Sequence, residues 1–506
     1  MPAEPSVRLV GDVIRPSGPG SYPTIVMRTA YDRTTYASVS LQVHALRLAA
    51  AGYAVVIQDV RGRFESEGQF EPFINEERDG LATIEWITSQ QWCNGVVAGA
   101  GASYNAYCQQ VVACAAHPAL AAWVPALAPA DVRDTWIRLG GAFNYGFHLS
   151  WALGSLTIPA SPAWADPETT TRYGPADQPE LKSSAAGDFY FRWLEHSDPY
   201  PDASNVPRAA DLAAVASPGL VIAGTYDVFY HGSVELFRLL ASQPDHQHSL
   251  VIGPWDHSGL PLGRRSGDAD FGLSAQLDLG ALQTDWYDLH LRGIGEAPPT
   301  ARVFVTGASE WLSLPAWPPV ATNWVLEPDH AFRLVDSADL AVVTLQIDAS
   351  NPTPTRGGRI YPWEPLLRPG AYDQSGSEHQ SDVLVFTGAP LIEPVRVLGP
   401  AQVEVTVGST ERASDVFAVL CDVARDGVAL NIADGVQRRT WSDEESVRFT
   451  IDLGDVAHEF GRGHRARLML SAGSFPRFDA FRWRGERFFH LGDGLTRLIL
   501  PLVDGG

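Results

Sequence analysis

Short, nearly continuous apolar runs alternate with amphipathic stretches along the first half of the chain. The runs at 6–14 (SVRLVGDVI), 22–28 (YPTIVMR), 53–59 (YAVVIQD), 95–99 (GVVAG), 119–126 (ALAAWVPA), 219–224 (GLVIAG) and 248–253 (HSLVIG) read as strands covered on both faces. Between them, 76–90 carries Leu81, Ile84 and Ile87 on one helical face, and 233–242 carries Leu236, Leu239 and Leu240. This alternation predicts βαβ units and a mostly parallel sheet, an α/β fold.

Two stretches depart from that rhythm. Residues 131–208 hold 12 aromatics in 78 positions, with helical spacing and several Pro and Gly breaks. A helical subdomain with its own aromatic core accounts for this, and so does a cap that walls an apolar pocket over the sheet's C-terminal edge. Because the stretch splits one α/β unit into two pieces, a cap is expected. After the Pro-rich 312–323 (LSLPAWPPVATN) the period falls to two, in AVVTLQID, DVLVF, AQVEVTV, DVFAVLCDV, SVRFTIDL, RARLMLS and LTRLILPLV. Alternation at that density, between Gly, Asp and Pro turns, predicts a β-sandwich, most simply a jelly roll. The expected layout is an α/β domain from 1–130 and 209–315, a helical cap at 131–208 and an all-β domain at 316–506.

Charge and composition narrow the function. A formal net charge of −22 repels phosphate backbones and anionic headgroups, so neither nucleic acid nor a membrane surface is an expected partner. Lys182 is the only lysine, and no lysine follows a glycine-rich loop, which excludes a P-loop. Cys93, Cys108, Cys114 and Cys421 form neither a disulfide framework nor a C-x-x-C pair. His246 and His248 lack further ligands at metal spacing, so neither a metal nor another cofactor is expected. The first residues, MPAEPSVRLVGDV, lack the basic and apolar regions of a secretory signal, and no apolar run is long enough to span a bilayer. A cytoplasmic protein is the expectation.

The chemistry-bearing segment runs from the strand ending near Gly99 into a helix: Gly99-Ala100-Gly101-Ala102-Ser103-Tyr104-Asn105-Ala106. A nucleophilic serine on a sharp strand-to-helix turn needs small neighbours, because strand and helix backbones nearly touch there. Gly101, Ala102 and Ala106 meet that need, although Asn105 breaks the strict G-x-S-x-G spacing. A serine hydroxyl also needs a histidine base oriented by a carboxylate. Asp227 follows the strand 219–224 and His257 follows the strand 248–253, in the order Ser, acid, His that an α/β hydrolase uses. An oxyanion hole would draw on the N–H of Tyr104, the residue after the nucleophile. Its second donor would come from the loop after strand 22–28, either a backbone N–H or the Tyr31 phenol.

Several motifs then occur together in order. They are Tyr31-Asp32; Asp59-Val60-Arg61-Gly62 with Ser66-Glu67-Gly68; Trp92-Cys93-Asn94-Gly95; Gly101-Ala102-Ser103-Tyr104; Tyr226-Asp227; and Gly253-Pro254-Trp255-Asp256-His257-Ser258. Late in the chain come Gly463-His464-Arg465-Ala466-Arg467 and Ser474-Phe475-Pro476-Arg477-Phe478-Asp479. As a set, spanning nearly the whole chain, they resemble the X-prolyl dipeptidyl-peptidase and bacterial cocaine-esterase family of serine hydrolases. The resemblance implies an α/β-hydrolase domain with an inserted helical cap and a C-terminal jelly roll. It implies Ser103 as nucleophile, His257 as base, Asp227 as its orienter, and the Tyr31 hydroxyl with the Tyr104 N–H as oxyanion donors. Trp136 and Trp151 resemble the cap aromatics that surround the acyl group in the esterase branch. Against the family pattern, the opening strand with its Arg-Asp-Gly turn is missing or shortened, and Ala106 stands where glycine is common.

The expected reaction is hydrolysis of a small-molecule carboxylic ester through an acyl-enzyme. A dipeptidyl-peptidase, an α-amino-acid ester hydrolase or an amidase of the same family is the alternative, and recognition of a free ammonium would call on carboxylates such as Asp131 and Asp134. A non-catalytic binding protein is a third reading, opposed by the intact Ser103, Asp227 and His257. Asp59 and Arg61 read as a buried ion pair or turn lock at a strand end, and Glu65 and Glu67 as loop carboxylates. A homodimer is left open.

Overall fold

In the computed structural model the chain is described at residues 7–35, 44–157, 160–258, 263–348, 350–377, 379–411, 413–442, 445–479 and 485–503, and through the backbone at 2–4. Ser6, the first residue of the first apolar run, lies outside the described residues.

Nine strands form one sheet: β1 (Gly11–Ile14), β2 (Tyr22–Thr29), β3 (Ala54–Asp59), β4 (Cys93–Ala102), β5 (Leu120–Ala126), β6 (Leu220–Gly224), β7 (Ser249–Gly253), β8 (Ala301–Val305) and β9 (Glu310–Leu314). Their spatial order is β9-β8-β7-β6-β5-β4-β2-β3-β1. The seven inner strands run parallel, and only the edge strands β1 and β9 are antiparallel to their neighbours. Every residue of β3, β6 and β7 is buried, which is why these segments read as unbroken apolar runs rather than alternating ones. The helices between them follow from periodicity and charge. In α1 (Glu76–Thr88), Ile84 and Ile87 are buried, and Glu76, Glu77 and Asp79 in the first turn complement the positive end of the helix dipole. The helices α2 (Tyr104–Cys114) and α4 (Tyr230–Leu240) start directly after the loops that carry Ser103 and Asp227.

The aromatic-rich stretch lies between β5 and β6. It contains two π-helical turns (Val132–Ile137 and Trp151–Leu156), a helix at Tyr145–Ser150 and α3 (Ala185–Glu195). Trp136, Phe143, Tyr145, Trp151, Tyr190 and Trp193 are buried within it, whereas Trp164 and Tyr173 face solvent. Lys182 ends the short helix Pro179–Lys182 on the outside of this insertion, with Nζ 3.3 Å from Asp177.

From Thr322 onward the described residues form strands and loops, with one short 3-10 turn at Ser375–Ser377. One leaf is built around Val395–Ser409, paired along its length with Ser446–Phe460, and the other around Ala413–Val423, flanked by Ala429–Thr440 and Arg465–Ser471. Val403, Val405, Phe449, Leu498, Phe386, Leu420 and Leu468 fill the space between the leaves. The strands at Thr322–Pro328, Arg333–Val335, Ala429–Thr440 and Gly485–Leu491 and those of the β8–β9 hairpin went unmarked by the alternation that revealed their neighbours.

The two halves are joined by main-chain bonds. The Thr306 N–H donates to the Ala457 carbonyl and the Glu459 N–H to the Thr306 carbonyl, each at 2.9 Å. Beside that bridge, His458 Nδ1 lies 2.9 Å from the Thr306 hydroxyl, and its Nε2 lies 3.1 Å from Asp422, which also pairs with His464.

Candidate active site

Ser103 stands between β4 and α2 with φ 60° and ψ −129°, a conformation that costs an L-residue of order 1–3 kcal/mol. The turn closes because its neighbours are small. A Cβ on Gly101, whose φ is +137°, would lie 2.7 Å from the Asn105 Cβ, and one on Gly99 would lie 2.8 Å from Gln109 Oε1. The Ser103 N–H donates to the Ala126 carbonyl at 3.0 Å, which anchors the turn to β5.

The loops after β6 and β7 are laced together. The Thr225 N–H donates to the Gly253 carbonyl at 2.8 Å and the Tyr226 N–H to the Trp255 carbonyl at 2.9 Å. A Cβ on Gly224 would sit 2.7 Å from the Trp255 carbonyl oxygen, so glycine is what lets the loops approach. This lacing brings Asp227 and His257 together. The fully buried Asp227 accepts the Phe229 N–H on Oδ1 at 2.7 Å and meets His257 Nδ1 with Oδ2 at 2.6 Å. Among the described residues no hydrogen bond joins Ser103 to His257.

Tyr31 lies at the C-terminal end of β2. Its hydroxyl oxygen accepts Trp151 Nε1–H at 2.9 Å, and its ring meets Tyr104 edge-on at 6.5 Å. Tyr104 itself is anchored from below: its hydroxyl donates to Glu76 Oε1 at 2.6 Å and accepts the Phe73 N–H at 3.2 Å. Glu76 is buried and ion-paired with Arg28 at 3.1 Å. Burial pushes the Glu76 carboxyl above its ordinary range, against the pull of Arg28 and the Tyr104 hydroxyl, and burial likewise keeps the Tyr104 phenol neutral far into alkali. Glu76→Ala would leave Arg28 without its carboxylate in the core. The expected cost is about 3–5 kcal/mol of unfolding free energy, read as a lower urea midpoint. An unchanged midpoint would show that the pair is not needed for stability.

Trp136 and Trp151 are buried and belong to one aromatic cluster, 5.4 Å apart. Trp136 stacks on Phe229 at 4.3 Å, and Phe229 in turn packs edge-on against the His257 ring at 5.4 Å. The cluster extends through Phe147 and Trp193. Phe229 and Tyr361 escaped the sequence reading. Phe229 stands two residues after Asp227, in a spacing that marks nothing by itself. Tyr361, whose ring lies 5.1 Å from His257, arrives from the stretch 350–370 of the β half, which carries five prolines and no local pattern that signals it.

Other residues singled out in the sequence have structural roles. Asp59 and Arg61 both form buried ion pairs, but with different partners: Asp59 with Arg33 at 2.5 Å and Arg61 with Asp79 at 2.5 Å. Glu65 also pairs with Arg33, and Glu67 with Arg8. Asp131 starts the π-helical turn by accepting the Arg133 N–H at 2.8 Å, and Asp134 lines a cavity of about 210 Å³ shared with Glu235, Arg238 and Gly454. His248 Nδ1 accepts the Gly219 N–H at 3.0 Å, and burial lowers its pKa to about 4, so it stays neutral. No helix among the described residues is long and apolar enough to cross a membrane.

Comparison with known proteins gives a consistent picture. The X-Pro dipeptidyl-peptidase family model matches residues 6–259, and the X-Pro dipeptidyl-peptidase C-terminal non-catalytic domain matches residues 292–496. The chain is 30% identical to a cocaine esterase of Rhodococcus sp. over 95% of its length and 91% of that protein. It is 26% identical to a putative serine esterase of Mycobacterium bovis, over 85% of this chain and 80% of that one. Among solved structures, an aminopeptidase from a marine sediment Thaumarchaeota archaeon superposes with a TM-score of 0.85 at 22% identity, covering 98% of this chain and 94% of that one. An α-amino acid ester hydrolase superposes with a TM-score of 0.80 at 19% identity, over 98% and 94%. These two place the fold: an α/β hydrolase with a C-terminal all-β domain. The chain is an enzyme of the X-Pro dipeptidyl-peptidase and cocaine-esterase family of serine hydrolases.

Proposed function

We propose that the enzyme hydrolyses carboxylic esters with Ser103 as nucleophile, His257 as general base and Asp227 as the carboxylate that orients it. The 2.6 Å contact between Asp227 and His257 carries this reading, with Ser103 held on its positive-φ turn at the C-terminal end of the same sheet. Ser103 Oγ attacks the ester carbonyl carbon while its proton passes to His257 Nε2. Asp227 accepts the Nδ1–H and stabilises the imidazolium. The imidazolium then protonates the departing alcohol as the tetrahedral intermediate collapses to an acyl-serine. A water molecule, deprotonated by the same imidazole, cleaves that ester and restores the hydroxyl.

The alkoxide of the intermediate is assigned to the Tyr31 hydroxyl and the Tyr104 N–H. Trp151 donates to the Tyr31 oxygen, so the phenol's own proton must rotate away from the indole. Removing one such donor typically costs about 10²–10³ in kcat. Tyr31→Phe is therefore expected to lose that much with little change in KM, and full activity in this variant would remove Tyr31 from the oxyanion hole. The aromatic cluster of Trp136, Trp151 and Phe229 favours a bulky apolar acyl group. An ester is favoured over a substrate with a free ammonium because Asp131 is already committed to Arg133. The layout proposed with this function is a catalytic domain from 1–130 and 209–315, a cap at 131–208 and a β domain at 316–506.

Covalent capture tests the assignment. A fluorophosphonate should attach one label per chain, at Ser103, and labelling should vanish in Ser103→Ala. A label on any other residue would overturn it.

A further inference from the structure

Arg359 belongs to the β half of the chain, yet its side chain ends at the loop that carries Asp227. The residue is 1% exposed. Its Nε donates to the Thr225 carbonyl at 3.0 Å, its Nη2 to the Asp455 carbonyl at 3.0 Å and its Nη1 to the Leu453 carbonyl. The guanidinium carbon lies 4.2 Å above the ring of Tyr230, the first residue of α4. The root of the side chain is held as well. The Arg359 N–H donates to Asp434 Oδ2 at 3.0 Å, while Asp434 Oδ1 accepts Arg477 Nη1 at 2.5 Å.

The guanidinium thus directs hydrogen bonds at three main-chain oxygens, two in the β domain and one two residues before the triad acid. The Thr225 peptide is clamped from both sides: its N–H by Gly253 of β7 and its carbonyl by Arg359. A buried carbonyl left without a donor would turn to find one, and Asp227 would move with it. The planar fork of an arginine meets this geometry in a way a lysine ammonium does not.

We infer that Arg359 is a positioning residue for the triad: by holding the Thr225 carbonyl it sets the height and angle at which Asp227 meets His257. The domain that the family describes as non-catalytic thereby helps to build the catalytic site. This inference rests on the reading of Asp227 as the orienter of His257.

Arg359→Met and Arg359→Lys test it, assayed on an activated ester with active sites counted by fluorophosphonate titration. A small misplacement of a catalytic group costs about 100-fold, so Arg359→Met should lose about that much kcat at nearly constant KM. The acid limb of kcat/KM should move to lower pH, because an imidazolium that loses part of its carboxylate partner gives up its proton more easily. Arg359→Lys should recover only a small part of the loss. In the Asp227→Asn background, Arg359→Met should cost nothing further. A normal kcat with an unmoved acid limb would overturn the inference, as would an undiminished extra loss in that background. If Arg359→Met does not fold, an unmoved acid limb in Arg359→Lys overturns it equally. Wild-type activity in Asp227→Asn would instead sink the triad reading. Inactive Asp227→Asn beside normal Arg359 variants would sink the inference alone.

Discussion

Ser103→Ala should lower kcat on a carboxylic ester by about 10⁶-fold, the scale on which a serine triad loses its nucleophile. What remains should be a slow hydrolysis supported by binding and the oxyanion donors. Stability should hardly change. The strain at φ 60° comes from the backbone and is the same for alanine, and the Ser103 N–H keeps its bond to the Ala126 carbonyl. Steady-state kinetics on an activated ester, together with a urea melt, check both halves. Turnover within tenfold of the wild type would mean that another residue attacks the substrate.

Asp227→Asn should cost about 10⁴-fold in kcat, by a route specific to this site. The Phe229 N–H points at Oδ1 and needs an acceptor there. An asparagine will therefore place its carbonyl oxygen towards Phe229 and its NH₂ towards His257. Faced with a donor, Nδ1 must act as an acceptor, which puts the imidazole proton on Nε2, where it cannot receive the proton of Ser103. The variant should fold, bind ester with an ordinary KM and turn over slowly. Retained activity would mean that the 2.6 Å contact is structural only.

Much of this was legible in the chain. The inner strands announce themselves because a strand covered on both faces carries no polar alternation, as in LVIAG at 220–224 and SLVIG at 249–253. The order of Ser103, Asp227 and His257 along those strands locates the triad candidates. What stayed hidden depends on where distant segments meet. The β8 and β9 segments, ARVFV and EWLSL, are as short as LVIAG but carry Arg302, Glu310 and Ser313, which break the apolar run, and Ala429–Thr440 mixes Asn, Asp and Arg into its pattern because those side chains bind Tyr372, Arg477 and Asp415 rather than water. Asp59 and Arg61 look like partners because they are two residues apart, yet each pairs across a loop with another side chain. Tyr361 reaches the His257 ring and Arg359 the Thr225 carbonyl from more than a hundred residues beyond His257 along the chain, a separation that no local period encodes.

Lys182 carries the only side-chain amine of the chain, on the outer surface of the insertion that also contains Trp136 and Trp151, with its side chain 55% exposed. Succinimide esters and aldehyde-coated supports will therefore find a single side-chain anchorage point. A dye tethered there would report on the aromatic insertion without touching the sheet beneath, and a bead coupled there would hold every molecule in one orientation.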